Sequence, residues 1–243
     1  MNKNVRNGIF ILSSALILSG CAPMQGPNAT GGNQNISKTQ TGALLGAALG
    51  ALIGASTKGH HKLQRAAIGA AAGAALGGAI GYNMDKQAQQ VAKALDTDVS
   101  TSPDAELDRS KDIIITKTDN YVKITFRDSM MFPTNSAELT PTARMKINKL
   151  IPILKEYPQT IIQVVGHTDS RGSWEYNKEL SKKRAETVGN ILYNSGLPNQ
   201  IFVKGCSFDK PLVPNTTPEN MALNRRVEIY LYPNAESIVD PCK

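Results

Sequence analysis

The sequence predicts an α/β domain, an α+β two-layer sandwich with helices packed on one face of a small mixed sheet, preceded by a helical hairpin built on glycine. Three observations predict it. From residue 111 onward, short β-branched runs alternate with segments of helical periodicity, the pattern of a sheet and helices that share one core. Upstream, glycines recur every fourth residue in two separate series. Around these lie polar stretches with almost nothing to bury.

The chain opens with Lys3 and Arg6, no acid, and then ten mostly apolar residues at 9–18. That run fits a secretory signal and falls short of the roughly 20 residues a spanning helix needs. It ends in Leu18-Ser19-Gly20-Cys21, small residues followed at once by a thiol. This order predicts cleavage after residue 20 and lipidation of Cys21. Several acyl chains anchor stably where one does so only marginally. Position 22 is Ala. It is not the Asp that retains lipoproteins at the inner membrane in enterobacterial sorting, so the expected location is the outer membrane, with the C-terminal domain facing the periplasm.

Residues 21–40 are rich in Gly, Asn and Pro and read as a flexible tether. Residues 41–82 carry Gly42, Gly46, Gly50 and Gly54, then Gly69, Gly73, Gly77 and Gly81. Four-residue spacing lines each series along one side of a helix, where a missing side chain lets another backbone approach. Each helical glycine costs nearly 1 kcal/mol against Ala, so eight in register imply packing, within a hairpin or between copies. Gly42 to Ala55 is 14 residues, about 21 Å as a helix, which is short for a hydrocarbon core of ~30 Å. Residues 83–110 continue as a helix with one narrow stripe (Met84, Ala88, Val91, Leu95) and then a polar linker.

Residues 111–235 form the globular domain, and 236–243 a tail. Val122, Ile124 and Phe126 alternate with Lys123 and Thr125, a strand with one wet face, paired with residues 113–115 across Asp119-Asn120. Thr140 and Pro141 are helix-start signals. The helix they open buries Ala143, Ile147, Leu150, Ile151 and Leu154, with a kink or early end at Pro152. Residues 160–166 are an apolar strand. A second helix runs from about Ser173 to Ser195, stopped by Gly196 and Pro198. Residues 201–204 form a short strand, and Val227, Ile229 and Leu231 are the inward face of the last one.

Chemistry concentrates at Gly166-His167-Thr168-Asp169. Asp169 lies just after a buried strand, in a loop of the kind that carries ligand contacts on a rigid scaffold. On the helix that follows, Leu180, Arg184, Val188 and Ile191 share one stripe. A guanidinium in that row needs a carboxylate. Asp169 is one candidate and a ligand carboxylate another, so both a structural pair and a site for a zwitterion fit. Asn177 and Ser181 occupy the adjoining stripe.

Gly166-His167-Thr168-Asp169, Tyr176-Asn177, Leu180-Ser181, Arg184-Ala185 and Asn224-Arg225-Arg226-Val227-Glu228-Ile229 resemble, in order and spacing, the OmpA-like peptidoglycan-binding domain. With the lipidation signal and the glycine series, the chain resembles outer-membrane lipoproteins of the YiaD/YfiB type. The resemblance implies that Asp169 takes the ammonium of the stem-peptide diaminopimelate and Arg184 its free carboxylate. Asn177, Thr168 and Arg225 would line the surrounding pocket. Pro133 and Met221 stand where many members carry Asp and Arg, which thins the polar rim.

Competing functions find little support. Residues 21–243 hold 25 basic against 20 acidic residues, dispersed and without a long basic run, which argues against nucleic acid. His167 is alone and His60 and His61 sit between the glycine series. There is no metal-ligand spacing, no Gly-x-Ser-x-Gly and no phosphate loop, so neither catalytic residues, nor a metal, nor a cofactor is expected. An assembly or scaffolding factor, or a membrane-active oligomer self-associating through the glycines, is the second reading. Cys206 and Cys242 are either a disulfide, which an oxidising compartment permits, or two separate thiols.

Overall fold

The computed structural model describes residues 62–243, with side chains from residue 79. Cys21, the tether and the first glycine series lie outside the described residues. The second series falls in a continuous helix, α1 (Lys62–Leu95). Among the described residues, no helix is long and apolar enough to cross a membrane.

Six strands form one mixed sheet: β1 (Val99–Ser100), β2 (Ile113–Lys117), β3 (Val122–Arg127), β4 (Ile161–His167), β5 (Ile201–Gly205) and β6 (Arg226–Tyr232). Their order is β1-β2-β3-β6-β4-β5. β6 is antiparallel to both β3 and β4, so β3 and β4 run the same way and end at the same edge. The last residue of β3, Arg127, pairs with Arg226. So does His167, the last residue of β4. This register sets Asp128, Thr168 and Arg225 side by side at one end of the sheet.

Two long helices cover one face: α3 (Pro141–Glu156) and α4 (Trp174–Asn194), with the short α2 (Asp128–Met131) and α5 (Pro218–Asn224) at the edges. Thr140 accepts from the Ala143 N–H and Ser173 from that of Tyr176, each satisfying an otherwise orphaned helix donor. Pro152 sits inside α3, which runs on to Glu156 rather than ending early. Ile151 is only partly buried, and Ile153 takes its place in the core.

The core reaches upstream of residue 111. Met84, Ala88, Val91, Ala92 and Leu95 of α1 join Ile147, Leu150, Ile124 and Ile229 in one cluster, and Gln87 donates to the Thr160 hydroxyl at 3.2 Å. The narrow stripe on α1 is thus a docking face.

The second face of the sheet is not wet, which corrects the reading of β3. Thr125 is fully buried and Arg127 nearly so. The reason is a 3-10 turn (Pro103–Leu107) in the segment read as a polar linker. Its Glu106 accepts from Thr125 at 2.6 Å and from Lys123 at 2.7 Å. Farther along that face, Tyr121, Tyr230 and Tyr232 pack together with Val165 and Cys206. Cys206 and Cys242 are disulfide-bonded with Cα atoms 5.2 Å apart, which ties the tail over this cluster.

Small residues set the distance between helix and sheet. A Cβ on Gly166 would lie 2.0 Å from the Ser181 carbonyl oxygen, and one on Gly205 2.5 Å from the Lys182 backbone nitrogen. Both strands therefore press against the backbone of α4 at Ser181 and Lys182, three and two residues before Arg184. Gly166→Ala must push α4 away, and overpacking of this kind costs about 1–3 kcal/mol. We expect a lower melting temperature together with weaker ligand binding. A melting temperature within a degree of wild type would contradict the close approach.

Candidate functional site

The aligned ends of β3 and β4, the start of β6 and the first turns of α4 surround a cleft of about 800 Å³, within the usual size of a small-ligand pocket. Its charged side chains form a continuous row. Asp169 accepts from the Arg171 guanidinium (Nη2–Oδ2 2.7 Å, Nε–Oδ2 3.1 Å) and from the Arg171 backbone N–H at 3.0 Å. It also accepts from Arg225 Nη1 at 2.7 Å. Arg225 Nε lies 3.8 Å from Asp128 Oδ2, and Asp128 Oδ1 lies 2.8 Å from Arg184 Nη1. This last approach is a charge contact without hydrogen-bond alignment, since Asp128 Oδ1 has no hydrogen-bond partner.

The sequence left Arg184 with two candidate carboxylates, Asp169 and one on a ligand, and within the chain Asp169 is not the acid it meets. Its partner in the chain is Asp128, while Asp169 pairs with Arg171 and Arg225. The register explains the correction: β6 places Arg225 between the two acids. Arg184 Nε also donates to the Ser136 carbonyl at 2.9 Å, and its guanidinium lies 5.0 Å from the centre of the Phe132 ring. Three guanidinium and two carboxylate groups leave the row with one excess positive charge.

Burial sets the electrostatics. It pushes the Asp128 carboxyl above its ordinary value, and Arg184 and Arg225 only partly offset this. Burial pushes Asp169 up as well, but the hydrogen bonds from Arg171 and Arg225 outweigh it and hold the carboxyl below its ordinary range. Asp169 is therefore ionised at neutral pH.

Thr168 lines the cleft, and its Oγ1 is buried without a partner among the described residues. An unmet hydroxyl in such a place costs free energy unless a ligand or water completes it. Asn177 has a different task. Its Nδ2 donates to the carbonyls of Arg171 (2.7 Å) and Ser173 (3.1 Å), clamping the loop that carries Asp169. Asn224, also buried, holds the 212–215 loop through the Leu212 N–H at 2.8 Å and the Val213 carbonyl at 2.8 Å. Pro133 lines the cleft as expected. Met221 is not among its lining residues.

Behind the cleft, on the second face of the sheet, Glu228 is buried with Arg226 Nε at 2.7 Å, the Tyr230 hydroxyl at 2.8 Å and His167 Nε2 at 3.3 Å. Burial pushes Glu228 up, but Arg226 and His167 outweigh it and hold the carboxyl well below its ordinary value. Burial and the Arg226 charge lower His167, which stays neutral. His167 is thus part of a structural network next to the site. Among the described residues, no group of His, Cys, Asp and Glu is arranged to hold a metal ion.

Two family models match parts of the chain. A sequence model of the OmpA family matches residues 131–225, from α2 to Arg225. This stretch of the C-terminal domain is similar to the OmpA family. A second model, the YMGG-like Gly-zipper, matches residues 1–85. The OmpA-family stretch begins three residues after Asp128, so the acid that Arg184 meets lies just outside it.

Among curated relatives, "Probable lipoprotein YiaD" of Escherichia coli (strain K12) is 34% identical over 126 residues, which is 51% of this chain and 58% of that protein. "Outer-membrane lipoprotein YfiB" of Pseudomonas aeruginosa is 34% identical over 101 residues, 41% of this chain and 60% of that protein. The chain thus spans under two thirds of either relative's length. Among solved structures, the cell wall anchor of the T6SS from Pseudomonas aeruginosa is 24% identical with a TM-score of 0.46, covering 54% of this chain and 97% of that one.

Proposed function

We propose that this chain is an outer-membrane lipoprotein, anchored through Cys21, whose OmpA-family domain binds the diaminopimelate of peptidoglycan stem peptides without covalent chemistry. The observation that carries the reading is the row of Asp169, Arg225, Asp128 and Arg184 along one cleft. Diaminopimelate within a stem peptide offers an ammonium and a carboxylate on one carbon. The ionised Asp169 would take the ammonium. Arg184, whose contact to Asp128 is a charge contact only, would turn N–H groups to the carboxylate, and the unmet Thr168 hydroxyl would complete the shell. Asn177 and Arg225 would hold the acid in place. Nothing in such a site cleaves a bond.

Each charge-assisted hydrogen bond contributes about 1.5–3 kcal/mol, so a single stem peptide is held modestly. Tight attachment would come from the many repeats of the polymer and from the lipid anchor raising local concentration. The test uses the full chain in detergent, because Met84 to Leu95 belong to the core. It should pellet with purified peptidoglycan and be released by free diaminopimelate, but not by 1,5-diaminopentane, which has both amines and no carboxylate. Release by both amines alike would contradict the zwitterion site. Fatty-acid labelling should vanish in Cys21→Ser; label retained there would refute the anchor.

The match of residues 1–85 to a Gly-zipper family favours a second reading, assembly or scaffolding through the glycine helices with wall binding for position. Deleting residues 41–82 would then abolish the envelope phenotype and spare pelleting with the wall.

A further inference from the structure

The acid of the cleft is fully engaged within the chain. Besides the Arg225 contact, Asp169 carries a guanidinium from its own loop, two residues on, with Arg171 Nε and Nη2 on its two oxygens. The two arginines differ in how they are held. Arg225 is 27% exposed and also faces Asp128, whereas the Arg171 side chain is 67% exposed and, among the described residues, its only ion pair is with Asp169.

The backbone of Arg171 is fixed independently of its side chain. Its N–H bonds Asp169 Oδ1, its carbonyl accepts from Asn177, and Gly172 takes the left-handed bend (φ +90°) that follows. The guanidinium can therefore leave Asp169 without unfolding the loop.

We propose that Arg171 is an internal stand-in for the ligand's ammonium, and that by competing for Asp169 it sets the selectivity of the cleft. The proposal rests on the reading of Asp169 as the ammonium site. An incoming cation gains the carboxylate only by displacing a guanidinium already there. A bare amine exchanges one ion pair for another and gains little. A ligand with an ammonium and a carboxylate on one carbon gains Asp169 and Arg184 together, which outweighs the displaced pair. Arg171 is thus a specificity residue that need not touch the bound ligand.

The test is calorimetric titration of the full chain with free diaminopimelate, comparing wild type, Arg171→Gln and Arg171→Lys, with Asp169→Asn as reference. An ion pair this exposed contributes at most about a five-fold change. Arg171→Gln should tighten binding by up to about that factor, since Gln brings no charge to Asp169. Arg171→Lys, which keeps a cation, should fall between Gln and wild type, an order that loss of loop structure would not produce. If wild type binds and Arg171→Gln binds equally or more weakly, the competitor role is overturned while the ammonium site stands. If wild type takes up no diaminopimelate, or Asp169→Asn binds as well as wild type, the site reading itself fails and the proposal with it.

Discussion

Arg184→Ala should abolish pelleting of the full chain with purified peptidoglycan while leaving the domain folded. Arg184 is the cleft's deepest cation, its side chain 4% exposed, and it is the group assigned to the ligand carboxylate. Removing it deletes a charge-assisted contact worth at least about tenfold in affinity at each stem peptide. Avidity multiplies that loss across the polymer. A stranded buried charge would ordinarily unfold a domain, but here the partner can adapt. Burial already pushes the Asp128 carboxyl up and Arg184 pulls it down, so loss of Arg184 raises it further and makes proton uptake easier, which limits the cost of the unpaired charge. The variant should keep wild-type far-UV dichroism, melt a few degrees lower and stay in the supernatant. A folded variant that pellets like wild type would remove Arg184 from the site.

Glu228→Gln should cost more stability than any change within the cleft. Arg226 and Glu228 are both almost wholly buried and 2.7 Å apart, and breaking such a pair from one side costs about 3–5 kcal/mol. Gln keeps the shape but leaves the guanidinium uncompensated, and its amide meets the Tyr230 hydroxyl and His167, both donors to the carboxylate. The pH dependence has a definite sign. The folded carboxyl is held well below its ordinary value of 4.5. Its contribution is therefore complete above that pH and is lost as pH falls through the folded value. Denaturant titration should show a large deficit for the variant at neutral pH that shrinks in acid. Equal stability at neutral pH would mean that the pair is not what holds this face of the sheet.

The sequence made the helix starts and the site loop legible and hid the partnerships. Thr140 and Ser173 announce their helices because capping is local chemistry, and both accept the expected backbone N–H. Val227, Ile229 and Leu231 declare the inward face of β6 by alternation, and all three join the core. β1 is two residues long, too short for any periodicity to show. Glu106 looked like part of a linker because its partners, Lys123 and Thr125, sit on a strand face that alternation alone marks as solvated. The pairing of Asp128 with Arg184 depends on register: β3 and β4 are not neighbours, and their shared pairing to Arg226 brings Asp128 level with Thr168, next to Asp169. Asp169 stood out by its place after a buried strand. Asp128 likewise lies just past a strand, directly after β3, and that likeness was the signal available.

If Asp169 takes an ammonium of the wall, its charge is indispensable to binding. The most direct measurement is pelleting of Asp169→Asn with purified peptidoglycan, on the full chain, after far-UV dichroism and thermal melting have matched wild type. Asn preserves the shape and removes the charge that pairs with an ammonium. The expected result is a folded protein that stays in the supernatant at every peptidoglycan concentration at which wild type sediments. A folded Asp169→Asn protein that sediments as wild type does, and is released by diaminopimelate over the same range, would contradict it.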